Sequence, residues 1–185
     1  MSNSYYSEVK ISYPREEILS LVQEFDSSTW HQGQCKNGIY WPVDECRKMP
    51  PNPIWDDLIA FINSPSKPLQ LNDNIFISSV HPGGLPCHSD GVRLCALNFP
   101  LNSEPSETIF VDGFDNVLER FSIPNNDSYT PVLINTQQKH GVILPKDTKK
   151  KRYILSVSLY ESYNEILKKI KNGELFNSNN RFKLS

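Results

Sequence analysis

The sequence predicts a mainly β fold with flanking helices, a barrel or a sandwich. Three observations carry that expectation. Between residues 74 and 160, short β-branched and aromatic runs recur at fairly regular intervals with turn residues between them. Only three segments show helical periodicity. Fourteen prolines against eight glycines suit a chain of many reversals and interrupted helices. At 185 residues the chain suits a single domain, 1–185, with a substantial core.

The elements follow in order. Pro14 to Phe25 sets Pro at a helix start with Ser12 as a candidate cap, and Ile18, Leu21, Val22 and Phe25 then recur at helical spacing. Pro53 to Ile62 repeats the pattern behind Asn52, with Ile54, Trp55, Leu58, Ile59 and Ile62 on one stripe. Seven strands are expected: Asn74–Val80, Val92–Pro100, Glu107–Asp112, Val117–Phe121, Val132–Asn135, Gly141–Leu144 and Tyr153–Tyr160. Ser162 to Ile170 forms the third helix, and Gly173 is placed to stop it. Residues 1–73 thus read as helical and loop support, 74–160 as the β core, and 161–185 as a helix and tail. The ends, MSNS and NSNNRFKLS, read as frayed.

Composition narrows the function. A net charge of −2 supplies no global field for nucleic acid or anionic lipid, so neither nucleic acid nor membrane is an expected partner. MSNSYYSEVK has no apolar signal region, and no run reaches transmembrane length. The four cysteines, Cys35, Cys46, Cys87 and Cys95, make no CxxC pair. A cytoplasmic protein with reduced thiols is the expectation.

The chemistry concentrates in HSDGVRLCALNFPLN, residues 88–102. On an extended chain His88 and Asp90 share a face, with Cys87 and Ser89 turned away. An imidazole and a carboxylate need a third ligand to hold iron(II) or zinc. His140, between two strand-like runs and 50 positions after Asp90, can return to them through the intervening strands. Two His and one Asp occupy one face of an octahedral metal and leave three positions open. Arg152 opens RYILSVSLY. By parity Arg152, Ile154, Ser156 and Ser158 share one face, able to line a polar cavity. Tyr153, Leu155, Val157 and Leu159 form an apolar face that helices could cover. A guanidinium on the first face is a natural clamp for a small carboxylate.

The order H-x-D, about fifty residues, His, about a dozen residues, Arg resembles the iron(II)- and 2-oxoglutarate-dependent dioxygenases. HPGGLPCHSDGVRLCALNFPLN, NTQQKHGV and RYILSVSL are similar to small phage and bacterial members related to prolyl and aspartyl hydroxylases. The resemblance covers roughly residues 74–160. It implies a double-stranded β-helix of the jelly-roll, cupin-like kind. It implies that His88, Asp90 and His140 bind Fe(II) as the catalytic centre, and that Arg152 holds the distal carboxylate of 2-oxoglutarate as cosubstrate, with O2 taking a remaining site. The implied activity hydroxylates an amino-acid side chain, free or peptidyl, or a small metabolite, and releases succinate and CO2. Asp90 stands where halogenating relatives carry Gly or Ala, so the resemblance implies hydroxylation.

Other readings stand beside this one. The same barrel could serve as a non-catalytic, metal-binding sensor or interaction module. A Cys–His hydrolase is disfavoured, because Cys87 alternates away from His88 and no nucleophile elbow is visible. Asn98 and Arg93 have opposite parity on one expected strand, so a regular strand admits only one to the cavity. Asn98 is preferred as a cosubstrate contact, since a buried amide needs partners. His81, before Pro82-Gly83-Gly84, reads first as a turn residue. Lys149 to Lys151 read as a solvated hairpin tip. Asn135 either orients the His140 loop or touches substrate.

Overall fold

A computed structural model describes residues 4–33, 35–36, 39–62, 67–102, 104–123 and 129–184. The chain begins with strands β1 (Tyr6–Glu8) and β2 (Ile11–Ser12). Helix α1 (Arg15–Glu24) starts behind Pro14 with Glu16 and Glu17 in its first turn, where the helix dipole favours them. Ser12 does not cap it, because that residue belongs to β2. Four short strands follow: β3 (Trp30–His31), β4 (Cys35–Lys36), β5 (Ile39–Tyr40) and β6 (Val43–Cys46). Helix α2 (Pro53–Phe61) opens as its sequence expects. The Asn52 side chain accepts from the Ile54 N–H, and Pro53 needs no donor there.

Eight strands then build the core: β7 (Ile75–Val80), β8 (Leu85–His88), β9 (Cys95–Pro100), β10 (Ser106–Val111), β11 (Val117–Ile123), β12 (Val132–Asn135), β13 (His140–Ile143) and β14 (Arg152–Leu159). Helix α3 (Tyr163–Lys171) starts at a capping box in which Ser162 and Glu165 satisfy each other's backbone donors. Gly173, at φ +71°, takes the left-handed turn that ends it. The last strand, β15 (Lys183–Leu184), pairs with β2.

Among the described residues two sheets face each other. The larger runs β1-β12-β9-β14-β7-β6-β3 and the smaller β11-β10-β13-β8. Every pair within them is antiparallel. Apart from the β10–β11 hairpin, consecutive core strands alternate between the sheets, with β7, β9, β12 and β14 in one and β8, β10, β11 and β13 in the other. That winding is a double-stranded β-helix, the jelly-roll class that the resemblance implies and one form of the barrel or sandwich that the strand pattern predicts.

The outer face of the larger sheet is the apolar one. Leu155, Val157 and Leu159 of β14 join Ile75, Ile77, Leu97 and Phe99, and the helices cover them with Ile18, Trp55, Leu58, Phe61 and Ile166. Most of these side chains are fully buried, and each contributes on the order of 1.5–3 kcal/mol by leaving water. The strand parity read for residues 152–159 therefore holds.

Two corrections concern the ends of the chain. Residues 1–73 are more than helical and loop support, for β1, β3 and β6 extend the larger sheet on both sides. These strands are two to four residues long, too short for alternation to show. The C-terminal segment is not a frayed tail. Phe182 is fully buried against Phe61 and Phe99, and Asn179 ties the segment back to the Asp57 carbonyl. Ser4 is held by Glu119, while Met1 to Asn3 lie outside the described residues.

Candidate metal centre

His88 ends β8 and His140 opens β13, and the two are direct cross-strand partners. The pair can approach because residue 141 is glycine. A Cβ there would lie 2.8 Å from the Cys87 sulfur and 2.9 Å from the Leu85 carbonyl. Asp90 arrives by another route. β8 stops at His88, so strand parity does not aim Asp90, and Ser89 also borders the cavity. Hydrogen bonds aim it instead. The Asp90 N–H donates to the Thr136 carbonyl at 2.9 Å, and Gln137 Nε2 donates to the Asp90 carbonyl at 3.0 Å. Thr136 and Gln137 also grip the Arg93 carbonyl, at 2.6 and 2.8 Å. The loop carrying Asp90 is thus fastened to the turn carrying His140.

His88, Asp90 and His140 each bring one ligand atom to within 4.8 Å of the others, so together they could hold a metal ion. Their hydrogen bonds suit that role. His88 Nδ1 lies 2.9 Å from the Pro86 carbonyl and His140 Nδ1 lies 2.8 Å from the Gln138 carbonyl. With each Nδ1–H donated to a carbonyl, both Nε2 atoms are left as acceptors for a cation. His88 Nε2 stands 3.5 Å from Asp90 Oδ1. The other carboxylate oxygen, Oδ2, accepts from Arg93 Nε at 2.6 Å. One oxygen is held and one is offered.

The electrostatics agree. Burial pushes the His140 imidazole down to about 4, helped by the neighbouring charge on His88, so it is a neutral ligand at ordinary pH. Burial raises the Asp90 carboxyl, but the His88 hydrogen bond and the Arg93 guanidinium outweigh it and hold it well below the usual carboxylate range.

The triad opens on a cavity of about 480 Å³ between the sheets. Ile134 lines it, and Phe110 packs in one cluster with Ile134, 6.1 Å from the His140 ring. Trp41 stands edge-on to His88 at 4.7 Å. Arg152 lies on the same cavity, 3% exposed. Its Nε and Nη1 are buried without a hydrogen-bond partner. Burial pushes its guanidinium down to about 10.

Asn98 and Arg93 both line the cavity, which corrects the parity expectation. β9 starts only at Cys95, so Arg93 sits on an irregular lead-in and is free of strand alternation. A chain results: Arg93 Nη1 donates to Ser156 Oγ at 3.1 Å, and Ser156 Oγ donates to Asn98 Oδ1 at 2.9 Å. Asn98 therefore buttresses Arg93 through Ser156. Arg93 could have been found from its i,i+3 spacing to Asp90.

The remaining candidates fall elsewhere. His81 is a turn residue whose Nε2 lies 2.7 Å from Asp44 Oδ2. Lys151 Nζ donates to the same oxygen at 2.7 Å, so it is not part of a solvated tip, whereas Lys150 reaches Glu104 from solvent. Asn135 accepts from the Gln137 N–H at 3.2 Å and so shapes the turn before His140. Cys46, Cys87 and Cys95 are free thiols, and burial pushes Cys95 up to about 12. Among the described residues no helix is long and apolar enough to cross a membrane.

Fold and site together define a double-stranded β-helix with two histidines and one carboxylate gathered on the cavity between its sheets. No family model matches the chain, and no curated protein matches it. One solved structure, described as Phpd with cadmium complexed with hydroethylphosphonate, aligns with 93% of this chain at 9% identity and a TM-score of 0.43. The chain spans 36% of that protein's length. A likeness so loose carries no argument about this chain, and its fold rests on the strand order and register above.

Proposed function

We propose that this protein is an Fe(II)- and 2-oxoglutarate-dependent dioxygenase that hydroxylates an amino-acid side chain or a small metabolite. The observation that carries the reading is Arg152. A guanidinium 3% exposed, with two nitrogens lacking partners, faces the cavity that holds the triad. Burying an unpaired cation costs several kcal/mol, so its retention calls for an anionic occupant. A dicarboxylate with one end at Arg152 and the other at the triad meets that need.

The donor set would fit iron(II): two imidazoles and one carboxylate, all three on the cavity. When bound, iron(II) with 2-oxoglutarate and O2 supplies oxidative decarboxylation to succinate and CO2 coupled to C–H hydroxylation. The chain's own residues do the rest. Arg152 binds and orients the cosubstrate. Arg93 holds Asp90 so that one oxygen faces the centre. Phe110, Ile134 and Trp41 keep water from its flanks.

A non-catalytic metal-binding module would need the triad but not Arg152. Anaerobic addition of Fe(II) and 2-oxoglutarate should give a weak visible charge-transfer band, and admission of air should release succinate. A protein that binds metal but neither binds nor consumes 2-oxoglutarate would be the sensor.

A further inference from the structure

Two charged side chains on the cavity have no part in that chemistry. In the larger sheet Asn98, Ser156 and Phe76 lie in one cross-strand row, and Pro100, Ile154, Ser78 and Glu45 in the next. Arg47, one residue past β6, continues the first row, with its guanidinium 4.2 Å from the Phe76 ring centre. Glu45 and Arg47 therefore lie towards the edge of the larger sheet, where His31 of β3 pairs with Glu45, and both line the cavity. Their side chains are 34% and 38% exposed. Arg47 Nε donates to Glu45 Oε2 at 2.8 Å, and neither has another hydrogen-bond partner among the described residues.

The same register separates them from Arg152. Arg152 pairs with Val80, Val80 with Val43, and Glu45 lies two residues further along β6. Two strand spacings and two residue rises put their backbones roughly 12 Å apart. One small dicarboxylate cannot serve both places. The pair also differs in kind from Arg152, because it presents both signs side by side. Glu45 keeps Oε1 for a cation, and Arg47 keeps Nη1 and Nη2 for the two oxygens of a carboxylate. An occupant with a single charge would satisfy one partner and meet a like charge on the other.

We propose that Glu45 and Arg47 bind the ammonium and carboxylate of a free α-amino acid, whose side chain extends past Phe76 and Trp41 towards the triad. This rests on the functional reading above and narrows it, since a residue inside a peptide carries neither charge. Phe76 is 4% exposed and Trp41 stands over His88, so the wall between the head group and the metal centre is aromatic.

The test separates the two readings. Calorimetry measures binding of the twenty common L-amino acids to the zinc-loaded protein with 2-oxoglutarate present. Succinate release by the iron protein is measured alongside. At least one amino acid should bind and stimulate turnover. Its amine analogue without the carboxylate and its acid analogue without the ammonium should each bind about 10- to 150-fold more weakly, the worth of one charge-assisted contact. Arg47→Met should abolish discrimination between the amino acid and the amine. Glu45→Gln should abolish discrimination between the amino acid and the deaminated acid. A misfolded variant would lose binding of every probe, without that charge-specific pattern. Binding of no free amino acid, equal binding of the singly charged analogues, or unchanged discrimination in both variants would overturn the proposal. Failure of the wild type to bind 2-oxoglutarate would instead overturn the functional reading.

Discussion

Replacing Arg152 by methionine should do two opposite things. Methionine keeps the length of the stem and removes a buried cation whose Nε and Nη1 have no partner. Apolar replacement of buried ionic groups is neutral or stabilising by about 1–4 kcal/mol. For a chain of this size each kcal/mol moves the melting temperature by roughly 2–4 °C. The ligand-free variant should therefore melt no lower than the wild type, and up to several degrees higher. Its 2-oxoglutarate affinity should fall at the same time. Truncating one member of a buried charge pair costs about 2–5 kcal/mol, a weakening on the order of 30- to 5,000-fold. Arg152→Lys should recover only part, because an ammonium cannot make the two-pronged contact. Thermal melts with and without 2-oxoglutarate measure both effects. At 100 times its dissociation constant for the wild type the ligand should stabilise the wild type by about 2.7 kcal/mol and the methionine variant by at most about 0.9 kcal/mol. A variant that melts several degrees lower yet titrates with 2-oxoglutarate like the wild type would show that Arg152 is structural. The clamp would then lie elsewhere.

Other outcomes follow from the same geometry. His88→Ala, Asp90→Ala and His140→Ala should each abolish tight metal binding by calorimetry, and wild-type affinity in any one removes that residue from the centre. Arg93→Ala should weaken metal binding about 10- to 100-fold by releasing Asp90 Oδ2, with Arg93→Lys intermediate, and an unchanged isotherm would leave Arg93 a bystander. Gly141→Ala should force β8 and β13 apart, costing about 1–3 kcal/mol in denaturant melts together with metal affinity. The metal-free protein should lose stability as pH falls from 6.5 towards 4. In that window the unfolded His140 binds a proton and the folded one, held near 4, does not. The loss is on the order of 3 kcal/mol, and a pH-independent denaturation midpoint would contradict it.

Most of the β core was legible because its strands are long enough to show alternation and β-branched enrichment, but the four-residue β8, which carries His88, was not among the expected strands. β12 matches its expected range, and β7, β10 and β13 match within a residue or two. The sheet extensions were not legible. β3 and β6 owe their pairing to neighbours distant in sequence, which two to four residues cannot announce. The triad could be read because strand return brings His140 to His88. The reason offered for Asp90 was incomplete, since a carbonyl and a glutamine on another loop aim it. Arg93 was set aside by extending a strand three residues too far, from Cys95 back to Val92. Arg152 was legible from parity alone, but its lack of partners is a property of the packed molecule.

The cross-strand pairing of His88 with His140 also bears on how quickly a metal leaves. β8 is four residues long and, among the described residues, lies at the edge of its sheet beside β13. Short edge strands open locally at a fraction of the free energy of global unfolding. Peeling β8 away would carry off His88 and loosen His140, so escape of a bound ion would be gated by fraying of that strand. A metal bridging β8 and β13 should in turn slow hydrogen exchange of their amides far more than those of β7 or β14. Chelator-driven release should then follow the opening rate of β8 and level off at high chelator concentration.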